Sequence, residues 1–259
     1  GFHVDSRLWK RVKPLFMFSI PLVPSFIFFA LVNFGDRFLI ANLLDISQVG
    51  IYSASYSLSE TLMFFVMPIQ FVVPPVVSKL WIQRNFDAVG QYLSESLKYY
   101  LLLSIPSLMG LLYLGPRILD ILAGADFVTS RVFLLLLLAG FLMFGMQQIL
   151  NNIIHLTKKT YLAAIFTLSI ASFNIGLNFL LIPSMEIMGA ALATFLSYLL
   201  LLLLYLVTSR YMFPIGIDIV PVGKALLCGG LMYLSLFLLD PQGIIWIVLS
   251  ILIGGGIYF

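Results

Sequence analysis

The chain has 259 residues, of which 61% are hydrophobic and 10% are charged, and its mean hydropathy is +1.09. Because a soluble domain carries about 25% charged residues, this composition excludes a soluble fold and predicts an integral membrane protein. The net charge of +3 comes from scattered basic residues, which argues against nucleic-acid binding, and the single Cys228 leaves no internal disulfide and no thiolate metal cluster.

Apolar segments long enough to span a membrane recur along the whole chain. A spanning helix needs about 20 mostly apolar residues, and long leucine runs such as "FLSYLLLLLLYLV" favour helix. The sequence therefore predicts an all-α polytopic membrane protein with about eight transmembrane helices, at residues 15–43, 49–78, 94–114, 131–156, 161–182, 187–209, 223–239 and 243–259.

The distribution of lysine and arginine predicts the orientation of these helices. Eleven of the 14 basic residues fall in loops on one side, Arg117 and Arg131 fall on the other, and Arg37 lies within the first helix. By the positive-inside rule, both ends face the cytoplasm. We expect a basic cytoplasmic lead-in (1–14), a six-helix lobe (15–209), a cytoplasmic loop (210–222) and two additional helices (223–259). The first residue is Gly and the chain stops inside an apolar run, so we expect it to be part of a longer protein.

The first helix carries an acid and a base side by side. Asn33, Asp36 and Arg37 are spaced i, i+3 and i+4, so they share a helix face. A charge at the bilayer centre costs at least ~2.5–3.5 kcal/mol, so both charges must face protein or water. Two interpretations stay open: a buried structural ion pair, or a cavity lining that attracts an anionic or protonatable ligand.

The second segment has a polar stripe of its own. Ser53, Ser57 and Glu60 are spaced i, i+4 and i+7, on a face that could meet the first helix. Glu60 is a candidate for ion coupling because an isolated carboxyl in mid-membrane suits proton exchange, although a neighbouring Arg37 would favour its charged form.

The fourth segment contains "QQILNNIIH", in which Gln147, Gln148 and Asn151 are candidate cavity-lining residues. So many amides in one spanning helix indicate contact with water or with other helices rather than lipid. The simpler interpretation, a helix end at the membrane surface, accounts well for His155 but less well for the two glutamines. In the fifth segment, Asn174 and Asn178 lie one turn apart and are expected to bond between helices.

Prolines and small residues indicate helix shape and packing. Prolines such as Pro68, Pro74 and Pro106 predict kinks, which serve either simple helix shaping or a hinge. Gly189, Ala193 and Ser197 form a stripe of small residues, with Ala190 and Thr194 alongside, that predicts close helix packing.

Enzyme signatures are missing from the sequence. There is no HExxH, no GxSxG and no phosphate-binding glycine loop, and the two histidines, His3 and His155, are far apart. We therefore expect no enzyme, no metal centre and no cofactor.

Two stretches resemble a known family. "NFGDRFLIANLLDISQVGIYSASYSL" and "NIGLNFLLIPSMEIMGAALATFLSY" are similar to motifs of prokaryotic polysaccharide flippases, the Wzx-like branch of the multidrug/oligosaccharidyl-lipid/polysaccharide (MOP) superfamily, and "LTKKTYLAA" resembles their short cytoplasmic turn. The sequence departs from the pattern at Glu186, where the family often has glycine. The resemblance implies a MATE-like fold in which this chain is the second six-helix lobe plus two additional helices, with a missing N-terminal lobe.

The resemblance also implies a function. Such proteins flip polyprenyl-pyrophosphate-linked oligosaccharides across the plasma membrane by alternating access through a cationic cavity, and Arg37 matches the arginine that follows aspartate in the family. We expect Arg37 to meet the anionic substrate, since arginine suits phosphate oxygens, and Asp36 to hold Arg37 in place. Glycosyltransferases or a polymerase of the pathway are possible partners. The alternatives are a drug/cation antiporter of the same superfamily and a non-transporting scaffold for surface-polysaccharide assembly.

Overall fold

The computed structural model of the protein describes residues 35–127, 129–213, 216 and 219–239. Residues 35–43 form the described part of the first helix, α1. The elements that follow are α2 (Ile46–Glu60), a 3₁₀ turn (Thr61–Phe65), α3 (Met67–Ile82), α4 (Phe86–Ala123), a 3₁₀ turn (Ala125–Phe127), α5 (Arg131–Leu156), α6 (Thr160–Met185), α7 (Ile187–Met212) and α8 (Ile219–Leu239). Over these residues the structure is helical and contains no strand.

The predicted all-α membrane architecture is confirmed. Six described helices are long and apolar enough to cross a membrane, and α2 and α3 together form one of these spans, Ile46–Ile82. The six correspond to the predicted segments from 49–78 through 223–239. The predicted eighth helix, most of the first and the basic lead-in lie outside the described residues.

Local sequence explains where several helices begin. The side chains of Asp45, Asn85 and Ser130 each accept a hydrogen bond from a backbone N–H in the first turn of the helix that follows, which satisfies donors that a helix start leaves unpaired. At the end of α4, Gly124 adopts φ 105°, a conformation open to glycine because it has no Cβ.

The prolines shape the helices less than their positions predict. Pro74, Pro75 and Pro106 lie inside continuous helices. The span 46–82 is instead interrupted at its 3₁₀ turn, just before Pro68, which stands at the start of α3. A proline is tolerated there because its missing N–H would have no partner in a first helical turn.

The core lies along α5 and α7, which pack against each other, with α6 against α7 and with α4 against α5 and α8. The predicted small-residue stripe on α7 is buried. At Gly189, a Cβ would come within 2.5 Å of the backbone carbonyl of Leu181 in α6, so the two helices approach as closely as glycine permits. This packing brings polar side chains of α6 and α7 against α1.

Candidate functional site

Asp36 lies at the meeting point of four helices. Its Oδ2 accepts hydrogen bonds from the Tyr52 hydroxyl of α2 at 2.8 Å and from the Thr194 hydroxyl of α7 at 2.9 Å, and its Oδ1 accepts one from Asn178 Nδ2 of α6. All four side chains are buried, Asp36 being 1% exposed. We call these residues the Asp36 cluster. A carboxylate bonded by three donors is strongly held, because hydrogen bonds to charged groups are the stronger ones.

The Asp36 cluster lies at one depth in the bundle. Each of its members is six or seven residues from the nearest end of its helix, all on the side away from Lys158 and Lys159. At 1.5 Å per residue, the cluster is about 10 Å inside these ends. It therefore belongs to the half of the membrane opposite the lysine-rich loops.

Two amide atoms next to the cluster have no hydrogen-bond partner. Asn178 Nδ2 also donates to Asn174 Oδ1 at 3.1 Å, while Asn178 Oδ1 and Asn174 Nδ2 are buried and unsatisfied among the described residues. The predicted bonding between helices is confirmed for Asn178, which joins α6 to α1, whereas the bond of Asn174 to Asn178 lies within α6. An unsatisfied buried amide oxygen is costly and is an acceptor still available beside Asp36.

Arg37 contacts two residues of α2. Its Nε donates to Ser53 Oγ at 3.0 Å, and its guanidinium lies 4.7 Å from the centre of the Tyr56 ring. The Tyr56 hydroxyl is 3.3 Å from that of Tyr198. Among the described residues, the ion pair within 4.0 Å joins Lys98 and Glu95. Among these contacts, neutral donors hold Asp36 and α2 contacts Arg37, and the two interpretations of the pair, a structural ion pair or a cavity lining, stay predictions.

Beside Arg37, the polar stripe of α2 is open. Ser57 and Glu60 are exposed, and Arg37 and Ser53 are half-buried. We call Arg37, Ser53, Ser57 and Glu60 the Arg37 strip. Glu60 is the last residue of α2, immediately before the 3₁₀ turn that interrupts the span. The strip thus combines a half-buried arginine of α1 with an exposed carboxylate of α2, on two neighbouring membrane segments.

A second polar region lies between α3 and α5, in the half of the bundle with the lysine-rich loops. It is a cavity of about 340 Å³, which we call the amide pocket. Gln70 Nε2 donates to the backbone carbonyl of Gln148 at 2.8 Å across this interface. The residues that line the pocket are Gln70, Pro74, Val77, Ser78, Gln148, Asn151, Asn152, His155 and Leu156.

The predicted site residues thus divide into two groups. Gln148 and Asn151 line the amide pocket, with His155 beside them. Gln147 is buried, at 5% exposure, and is not one of the residues lining the pocket. Asp36 and Arg37 lie in the other half of the bundle. Within the described part of this chain, the predicted site residues therefore do not line a single cavity. Asn33 lies outside the described residues.

Sequence reasoning missed two members of the Asp36 cluster. The sequence does not identify Tyr52 as a partner of Asp36, because a tyrosine in an apolar segment usually serves helix packing. Thr194 is not identified because it belongs to a stripe of small residues that predicts close helix packing. A signal was present, however. Every residue that bonds Asp36 lies in one of the two stretches that resemble the flippase family, so a shared motif of polar residues in apolar helices pointed to this cluster.

Comparison with known proteins identifies similar sequences. The profile of a family described as polysaccharide biosynthesis protein matches residues 6–132. A probable low-salt glycan biosynthesis flippase, Agl15 of Haloferax volcanii, is 27% identical over 190 residues, which are 73% of this chain and 40% of that protein. The chain therefore spans about 40% of the length of the curated relatives it matches.

Solved structures show the same fold. The lipid II flippase MurJ in its inward closed conformation matches all of this chain and 55% of its own, with a TM-score of 0.72 and 21% identity. An outward-facing multidrug resistance MATE transporter of the MOP superfamily matches 87% of this chain and 53% of its own, with a TM-score of 0.62 and 18% identity. The chain is therefore a multi-pass membrane protein that has the fold of these transporters and is similar in sequence to a glycan flippase and to the polysaccharide biosynthesis family.

Proposed function

We propose that the chain is the second lobe of a transporter that flips lipid-linked oligosaccharide precursors across the plasma membrane by alternating access. The chain matches about half of each solved transporter, which supports a partner lobe in the same protein. The polysaccharide family profile and the glycan flippase relative support the substrate class. The lysine and arginine distribution supports cytoplasmic ends.

The Arg37 strip is the observation that carries this proposal. Arg37 lies six residues from the end of α1, and Glu60 lies in the middle of the span Ile46–Ile82. Charged side chains at such depths cannot face hydrocarbon without a large cost. We therefore infer that the strip faces a water-filled cavity between the two lobes. A guanidinium held by Ser53 and Tyr56 is well oriented to donate to pyrophosphate oxygens.

Two carboxylates are available for ion coupling. Glu60 is exposed on the strip and could exchange a proton with water in the cavity. Asp36 is enclosed by hydroxyl and amide groups, and the unsatisfied Asn178 Oδ1 lies beside it. Carboxylate, hydroxyl and amide oxygens are ligands that hard cations prefer. We place the coupling ion, a proton or sodium, at one of these two carboxylates.

A flipping assay in proteoliposomes tests the proposal, with the protein as its own gene encodes it and a fluorescent polyprenyl-pyrophosphate oligosaccharide whose outer-leaflet copies can be quenched. We expect the wild-type protein to move the probe between leaflets and Arg37→Ala to abolish this movement at unchanged protein content. Arg210→Ala is the matched control, because Arg210 is exposed at the end of α7.

The same vesicles separate the alternatives. Transport of a cationic dye without movement of the oligosaccharide lipid would identify a drug/cation antiporter. If neither probe moves and the protein instead retains the glycosyltransferases or the polymerase of the pathway, the protein is a scaffold. Both outcomes would overturn the flippase proposal.

A further inference from the structure

We propose that the amide pocket binds an uncharged sugar unit of the lipid-linked substrate, at a place separate from the site that meets its pyrophosphate. This inference rests on the proposed function and adds to it which part of the substrate each polar region recognises. It follows from three properties of the pocket: its chemistry, its prior ordering and its position.

The chemistry of the lining suits hydroxyl groups and not phosphate. Among the described residues, the polar lining consists of four amides, one hydroxyl and one imidazole and includes no Lys, Arg, Asp or Glu. An amide offers donors and an acceptor together, and a sugar hydroxyl needs both. A phosphate group would lose its hydration here without gaining a basic side chain from the lining, which is costly.

Several of these polar side chains are already fixed by protein hydrogen bonds. The Tyr205 hydroxyl donates to Asn151 Oδ1 at 3.1 Å, and Asn151 Nδ2 lies 3.2 Å from His155 Nε2. Asn152 Nδ2 donates to the backbone carbonyl of Ile149 at 2.9 Å. Groups that are ordered before a ligand arrives lose less entropy when it binds. The lining is therefore prepared for a ligand, which a loosely packed helix interface would not be.

The size and position of the pocket complete the inference. Its volume of about 340 Å³ is near the lower end of ligand pockets, so it would hold a short saccharide segment and not a whole oligosaccharide. The α3 part of the span Ile46–Ile82 lines the pocket, whereas the α2 part carries Ser53, Ser57 and Glu60 of the strip, beside Arg37 of α1. Sugar and pyrophosphate recognition would then lie beside different halves of one interrupted helix.

The test uses a cysteine reporter in the pocket of the full protein. Cys228 is replaced by serine, and Ser78→Cys is introduced because Ser78 is exposed and lines the pocket. The rate of modification by a small polar thiol reagent is measured with glucose, galactose, N-acetylglucosamine or maltose, and separately with inorganic pyrophosphate. We expect at least one of these sugars to slow modification and pyrophosphate to leave the rate unchanged.

A substitution then ties the protection to the amides. Gln148→Leu keeps the size of the side chain and removes its hydrogen bonds, so it should raise the sugar concentration for half-protection roughly tenfold, the value of one hydrogen bond. Gln91→Leu is the matched control, because Gln91 is exposed on α4 and does not line the pocket. The inference is overturned if no sugar protects Ser78→Cys, if pyrophosphate protects it as well as sugar does, or if both leucine variants behave alike.

A second reporter separates this inference from the proposed function. Ser57→Cys lies on the Arg37 strip, and pyrophosphate should slow its modification only while Arg37 is present. If pyrophosphate protects Ser57→Cys but no sugar protects Ser78→Cys, the sugar-binding proposal is wrong and the flippase proposal is retained. The reverse result would leave a sugar-binding pocket in a protein that does not recognise lipid pyrophosphate.

Discussion

The Tyr52 hydroxyl donates to Asp36 Oδ2 at 2.8 Å and lies 3.0 Å from the Thr194 hydroxyl, so a single phenol joins α1, α2 and α7. Because Tyr52 is fully buried, water cannot replace its hydrogen bond to the carboxylate.

Tyr52→Phe should therefore destabilise the protein by about 1–3 kcal/mol, the cost of an unmet bond to a buried polar group. Thermal unfolding in detergent measures this change. Tyr211→Phe is the matched control, since Tyr211 is 88% exposed, and it should change nothing. Equal stability of the two variants would show that the Asp36 cluster is not tightly bonded.

A double-mutant comparison of Asp36 and Arg37 separates their roles. Since Asp36 bonds Tyr52, Thr194 and Asn178, Asp36→Ala should lower stability by at least about 1–3 kcal/mol, because buried donors lose their acceptor. Arg37→Ala should abolish surface-polymer export while the protein accumulates normally, and Arg37→Lys should keep part of the activity because the charge remains.

The double variant should combine both losses, because the partners of the two residues differ. Membrane abundance is measured beside export to distinguish instability from loss of function. Recovery of export in the double variant would show instead that Arg37 serves to neutralise Asp36, and the substrate role would have to be abandoned.

Glu186 occupies a backbone conformation that suits glycine. It joins α6 to α7 with φ 53° and ψ −138°, and its side chain is exposed. A non-glycine residue in such a region costs of order 1–3 kcal/mol, partly offset by the flexibility that glycine adds to the unfolded chain. Glu186→Gly should stabilise the protein by about 1 kcal/mol. Ser184→Gly, two residues earlier inside α6, should destabilise it by a similar amount. A loss of stability in Glu186→Gly would contradict the strained backbone.

Close approach of α6 and α7 at Gly189 predicts a position that tolerates no side chain. A Cβ there would meet the backbone of Leu181, so Gly189→Ala should cost about 1–3 kcal/mol, as overpacking does. Gly176→Ala in α6 is the control, because no atom lies within 4 Å of its added Cβ, and it should be neutral or slightly stabilising. Unfolding midpoints in detergent distinguish the two variants, and similar midpoints would show that the helices can separate at Gly189.

The orientation predicted from lysine and arginine can be checked with exposed loop residues. Ser47, Asp126 and Lys159 are all exposed at helix ends. In a Cys228→Ser background, cysteines at Ser47 and Asp126 should react with an impermeant thiol reagent in intact cells, and one at Lys159 should react only after the cells are opened. Reaction of the Lys159 position from outside would reverse the assignment of both ends.

How much of this architecture the sequence predicts depends on the kind of signal. The membrane spans are predictable because a segment of about twenty apolar residues in a membrane must form a helix to pair its backbone polar groups. For example, α5 matches its predicted range of 131–156. The sequence does not predict where the span 46–82 is interrupted. Pro68, Pro74 and Pro75 each predict a break, and packing against other helices determines which position is broken. The site is predictable only in part. The charges of Asp36 and Arg37 identify them as site residues, but the sequence does not show which side chains each of them contacts.

Those partners also determine the order in which the membrane bundle can assemble. Tyr52 follows Asp36 by 16 residues, whereas Asn178 and Thr194 follow it by 142 and 158 residues. At about 5–20 residues per second of synthesis, Asp36 spends roughly 8–30 s in the nascent chain before Thr194 exists. Until Asn178 is made, the carboxylate is inserted with at most one of its three native donors available. Insertion of α1 must therefore tolerate an incompletely bonded charge until the α6–α7 hairpin arrives and closes the Asp36 cluster.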